Sequence, residues 1–161
     1  MYRHVLISHS DTTRASLNVW KTSRPLFGEF IEVYCSRTYG LRRYELGRED
    51  LTTGEALPIG SPTGPSMVLI DEQGSELWLS GCLAGYMGEG PSATGYILRA
   101  EAFEPRHINL VPYADHLHLR KGIEAPLTFV ECDEKRDYGS TLFGHIEQLE
   151  AQGYFKGIQA A

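Results

Sequence analysis

The sequence predicts an α+β protein: a mainly antiparallel sheet, one helix after a glycine-rich turn, and a second helix at the C-terminus. Three observations carry that prediction. Short runs rich in Val, Ile, Leu, Tyr and Trp are separated by polar or glycine-containing turns. One amphipathic stripe lies directly behind Gly85–Pro91, and no regular alternation of strands and helices of the βαβ kind is visible. At 161 residues the chain fits a single α+β domain, 1–161. A chain of this size buries about 68–70% of its unfolded surface, so it needs neither disulfide nor structural metal to fold.

Four strands are expected in the first half, at His4–His9, Ala15–Trp20, Glu29–Cys35 and Leu41–Leu46. Within the third, Glu32 sits between Ile31 and Val33, as in a strand with one wetter face. Thr52–Pro65, punctuated by Gly54, Pro58, Gly60, Pro62 and Gly64, reads as a loop. Met67–Ile70 and Glu76–Leu79 form a hairpin, because Gly74 near the end of a short polar connection supplies a residue tolerant of positive φ. Ala93, Tyr96, Ile97 and Ala100 recur at i, i+3, i+4 and i+7, so a helix follows, with Pro91 suited to its first position. Gly95 weakens that helix and is expected to admit another backbone. Further strands are expected at His107–Val111, His116–Arg120 and Leu127–Glu131. Last comes a helix capped by Ser140, lined by Leu142, Phe143, Ile146 and Leu149, and closed by a left-handed Gly153. Its apolar face and Tyr154–Ile158 suit either the parent core or a subunit interface.

Composition narrows the functional classes. Hydrophobic residues make up 42% and charged residues 22%, ordinary for a globular chain and unlike a disordered one. Net charge is −6, and the densest basic group, Arg37, Arg42, Arg43 and Arg48, is interrupted by Glu45, Glu49 and Asp50. Duplex nucleic acid is therefore not the expected partner, while a small anion held by a few arginines and amides is compatible with the charge. No apolar run is long enough for a membrane span and the N-terminus lacks a signal-peptide core. Three widely spaced cysteines (Cys35, Cys82, Cys132) with no C-x-x-C pair read as buried thiols of a reducing compartment, and the expected location is cytoplasmic.

The best candidate site is the turn Gly85-Tyr86-Met87-Gly88-Glu89-Gly90-Pro91. Glycines let successive amides point one way and let a ligand lie against the backbone. The helix start behind them adds unsatisfied N–H groups and partial positive charge, so phosphate is the natural occupant. The expected ligand contacts are Gly85, Tyr86, Gly88, Glu89, Gly90, Pro91, Ser92 and Thr94, with Tyr86 stacking on a base and Glu89 bonding a ribose hydroxyl or capping the helix. The turn is neither a Walker A loop nor a Rossmann fingerprint. Glycines punctuate turns in every fold, and a purely structural strand-to-helix connection accounts for the pattern equally well.

The stretch from Leu77 through Gly85 to Pro91, with the helix behind it, resembles the core of small phage proteins that sequester cyclic ADP-ribose signals, the Thoeris anti-defence sponges. The resemblance implies a non-catalytic homo-oligomer that traps a cyclic nucleotide at subunit interfaces, with the turn and nearby aromatics on the ligand and arginines on its phosphates. It places no particular arginine.

Other constellations are weaker. His116 and His118 alternate along a strand and share a face, which suits two metal ligands or an acid–base pair of a phosphoesterase or nucleotide hydrolase. No third ligand completes a metal motif, so strand histidines without chemistry are the simpler reading. Cys82 lies near the turn and could act as a nucleophile with His107 or His116 as base, yet free cysteine is usually packing. Ser8-His9-Ser10-Asp11 holds triad residue types in succession, which is no evidence for a spatial triad. Asp133–Asp137 reads as a solvated loop. The expectation is thus a nucleotide-binding protein with no catalytic set, metal or cofactor, against two alternatives: the hydrolase, and a structural or partner-binding protein.

Overall fold

The computed structural model describes residues 5–8, 12–38, 65–133 and 137–158. Six strands form one sheet in the order β1-β4-β3-β2-β5-β6: β1 (Val5–Ile7), β2 (Phe30–Ser36), β3 (Met67–Asp71), β4 (Glu76–Leu79), β5 (Ala114–Arg120) and β6 (Thr128–Glu131). Among the described residues only the β1–β4 pair is parallel; the other four pairs are antiparallel. With helices α1 (Thr13–Ser23), α2 (Glu89–Ala100), α3 (Pro105–Ile108) and α4 (Leu142–Ala151), the protein is α+β, as the sequence predicts.

Side-chain alternation divides the sheet. Val33, Met67, Leu69, Leu77 and Leu119 point into the main core with Leu17 and Trp20 of α1, Ile97 and Leu98 of α2, and Leu142 and Ile146 of α4. Their neighbours Val5, Val68, Ile70 and Trp78 form a smaller buried cluster on the opposite face. The helices thus sit on one side. The β3–β4 hairpin forms as expected, with Gly74 at φ 87°. Asp71 closes it, its carboxylate accepting the amides of Gln73, Ser75 and Gly28.

Two strand expectations fail. Ala15–Trp20 lies inside α1, which Thr12 caps by accepting the Ala15 amide. Its buried positions Ser16, Leu17, Trp20 and Ser23 follow helical spacing, but half of them are serines, so hydropathy hides the stripe. His107–Val111 is also helical: Pro105 starts α3, and a 3-10 turn at Val111–Tyr113 leads into β5. Leu41–Leu46 and residues 52–64 of the expected loop lie outside the described residues, as do His9, Ser10 and Asp11.

Helix boundaries also shift. Gly88 is the N-cap of α2, so Pro91 is its third residue rather than its first. Thr141 caps α4 in place of Ser140, accepting the Gly144 amide at 3.2 Å. Gly153 takes the left-handed conformation at φ 76°. At Gly95 a Cβ would lie 2.7 Å from Leu142 Cδ2 and 2.9 Å from Ile146 Cδ1, so the close approach is made by side chains of α4 and not by a backbone. Behind α4, the Phe155 ring stacks on Tyr96 with centroids 4.1 Å apart, which assigns this segment to the parent core. No helix of the described residues is long and apolar enough to cross a membrane.

Candidate functional site

From Ser80 to Gly85 the connection behind β4 is bound down residue by residue. Gly81 N–H donates to Ser16 Oγ at 2.8 Å, and its carbonyl accepts from Thr13 Oγ1 at 2.9 Å. Ser66 Oγ donates to the Cys82 carbonyl, Ala84 N–H to Ser36 O, and Gly85 N–H to Val111 O. Gly85 has φ +85°, and a Cβ there would meet Arg37 Cβ at 2.9 Å. This half of the turn is a structural junction joining α1, β2 and the 3-10 turn before β5.

The second half carries the Tyr86 ring. A Cβ on Gly88 would fall 2.7 Å from Tyr86 Cε2, and one on Gly90 2.5 Å from the Tyr86 hydroxyl. The two glycines therefore make room for the protein's own tyrosine. Beyond them, Ser92 Oγ bonds His145 Nδ1, linking α2 to α4, and Thr94 Oγ1 donates to Leu83 O at 2.7 Å. Of the eight expected contacts, Gly85, Gly90, Pro91, Ser92 and Thr94 are buried, Tyr86 and Gly88 are half-buried, and Glu89 is exposed. Ser92 and Thr94 have no exposed surface, so neither hydroxyl is available to a ligand.

What stays accessible is the lip of α2. Gly88 supplies no side-chain cap, and Ser92 is the first residue whose amide finds an acceptor in the helix, Gly88 O at 3.0 Å. Pro91 has no N–H, so the amides of Glu89 and Gly90 have no acceptor within the helix. Glu89, the first residue of α2, suits the positive end of the helix dipole.

Two residues that sequence reasoning did not single out as site residues complete this lip. The Tyr154 hydroxyl is buried, makes no hydrogen bond of good geometry, and has the Glu89 carboxylate beside it as a weak acceptor. Burial first, then Glu89, pushes this phenol up to about 12, and Arg14 opposes them. It is a neutral donor throughout the physiological range. Arg14, on the first turn of α1, donates to the carbonyls of Tyr154 and Lys156 and lies 5.1 Å over the Tyr154 ring. A cation, a phenol and a carboxylate thus meet where α2 begins, although they stand far apart along the chain.

The histidine pair lies on the sheet face away from the helices, as its alternation requires. His118 Nε2 is 2.5 Å from Glu32 Oε1, and its ring stacks on Tyr34 with centroids 3.8 Å apart. Tyr34 Oη donates to the same Glu32 oxygen at 3.4 Å. His116 is exposed, opposite Ser36 and Val130. Among the described residues no three His, Cys, Asp or Glu side chains are grouped as metal ligands.

Cys82 is not an activated thiol. It is fully buried, and desolvation, then Cys35, raises its pKa. His107 is engaged with the Glu124 carbonyl, and His116 lies on the other face of the sheet. No known family, curated protein or solved structure matches the chain.

Proposed function

We propose that this is a non-catalytic cytoplasmic binding protein that sequesters a small phosphate-bearing nucleotide of the cyclic ADP-ribose kind, in the manner of a phage counter-defence sponge. The observation that supports it is the exposed start of α2, where Gly88 supplies no side-chain cap and the Glu89 amide has no acceptor within the helix, with the exposed Arg14 guanidinium lying over the Tyr154 ring beside it. The Glu89 amide and a guanidinium are two kinds of group that bind phosphate oxygens. Glu89 repels phosphate and suits a ribose hydroxyl. Relative to the sequence expectation, the contact set contracts to Tyr86, Gly88 and Glu89 and gains Arg14.

Calorimetry with cyclic ADP-ribose isomers and cyclic dinucleotides tests this reading, followed by chromatography of ligand released by heating. Saturable binding with unaltered ligand recovered is the expected result. Chemically altered ligand removes sequestration, and absence of binding to every nucleotide removes the site. The hydrolase alternative has one observation in its favour, the Glu32–His118 pair, since a carboxylate that orients an imidazole is a general-base arrangement. It requires that His118→Ala abolish turnover while the fold stays intact. Stacking on Tyr34 and burial among strand neighbours give the pair a sufficient structural role, so the binding reading stands ahead of it.

A further inference from the structure

We infer that β6 is a pairing edge for a second copy of this chain, joining two sheets antiparallel across a two-fold axis at Phe129. Among the described residues β6 ends the sheet, and all four of its residues are exposed. Its apolar side chains occupy both faces: Phe129 is 38% exposed and Val130 45%, with Leu127 just before the strand at 47%. Natural sheet edges are usually protected by shortness, by charge (lysine above all), by proline or by a bulge, and β6 has the first and a single charge, Glu131. Thr128–Glu131 contains no lysine or proline, and the irregularity in the β5–β6 register falls between Ala114 and His116, at the Glu131 end. Thr128, Phe129 and Val130 remain in regular register with His118, Leu117 and His116.

The sequence of the edge favours its own copy as occupant. A two-fold axis normal to the sheet preserves its faces, so partners must share parity along the strand. Centred on Val130, the pair sets Phe129 against a glutamate. Centred on Thr128, it brings Pro126, which has no N–H, into the ladder. Centred on Phe129, it sets Phe129 against Phe129, Thr128 against Val130 and Leu127 against Glu131, with an aromatic pair at the axis and no like charges opposed. The face of α4 is engaged in the core through Leu142 and Ile146, so the edge is the better place for an oligomer contact than the C-terminal helix.

A strand this short buries less than the about 800 Å² per partner of a standard interface, so the dimer is weak and concentration-dependent. Sedimentation velocity over a micromolar to millimolar dilution series is expected to show a reversible monomer–dimer equilibrium. Phe129→Lys and, separately, Val130→Lys should abolish it with the unfolding midpoint unchanged. For the register, Phe129→Cys in a Cys132→Ser background should form an intersubunit disulfide under mild oxidation, and Thr128→Cys should not. A wild type that stays monomeric throughout, a dimer that survives both lysine variants, or cross-linking at Thr128→Cys in place of Phe129→Cys overturns the inference.

Discussion

Tyr154→Phe should make the free protein more stable. The variant keeps the ring, which packs edge-on to Phe155 with centroids 4.9 Å apart and carries Arg14 over its face. It removes only a buried hydroxyl that makes no hydrogen bond of good geometry and meets Glu89 as a weak acceptor. Leaving such a group unsatisfied costs about 1–3 kcal/mol. Because the residue as a whole is half-buried, the lower end applies, and the expected gain is about 1 kcal/mol. With a urea slope of about 2 kcal/mol/M, the midpoint should rise by about 0.5 M. Equilibrium urea unfolding followed by tryptophan fluorescence reads this directly. The opposite sign is the refutation. If Tyr154→Phe lowers stability by about 1 kcal/mol or more, the Glu89 carboxylate satisfies the hydroxyl in the free protein.

Two further outcomes test the packing around the site. A Cβ at Gly81 would lie 2.2 Å from the Thr12 carbonyl oxygen, so Gly81→Ala must displace the start of α1 and is expected to cost about 3 kcal/mol in urea unfolding. Gly139→Ala, where a Cβ meets nothing within 4 Å, should stay within about 0.5 kcal/mol of wild type. Burial raises the Cys35 thiol from 9.0 to about 12 and the Cys82 thiol in the same direction. At neutral pH, a thiol reagent should therefore label half-buried Cys132 rapidly and the other two only on unfolding. Because the folded values lie above the unfolded ones, their contribution is complete below pH 9 and is lost as pH rises toward 12, so unfolding midpoints should fall across that window.

Much of the fold was legible because side-chain period and turn chemistry agree. In β3 and β4 each residue is buried, and the polar connection with Gly74 leaves one plausible path between them. Legibility failed where burial does not track hydropathy. In α1 the residues facing inward include Ser16 and Ser23, and Ser16 is buried because it satisfies the Gly81 amide rather than because it is apolar. The α3 segment contained its own correction, since Glu104-Pro105 is a helix-start pattern, but Ile108 and Val111 outweighed it as strand formers.

The candidate site was legible only in part, for a reason that concerns what glycine reports. A glycine whose Cβ would collide says that something approaches the backbone; it does not say what. At Gly88 and Gly90 the approaching group is Tyr86, two and four residues away in the chain, and at Gly85 it is Arg37. Ser92 and Thr94 look like ligand hydroxyls on a helix start, yet α4 and the Leu83 carbonyl reach them first. Arg14 meets Tyr154, and Tyr154 meets Glu89, because the Gly81 junction seats α1 and the turn behind α4 folds back along it. No local pattern near residue 88 encodes either of them. The sequence signal most directly useful for this site was therefore the run of aromatics at Tyr154-Phe155 after a helix that is already capped. One of those rings completes the core against Tyr96, and the other places its hydroxyl beside Glu89 and its face under Arg14.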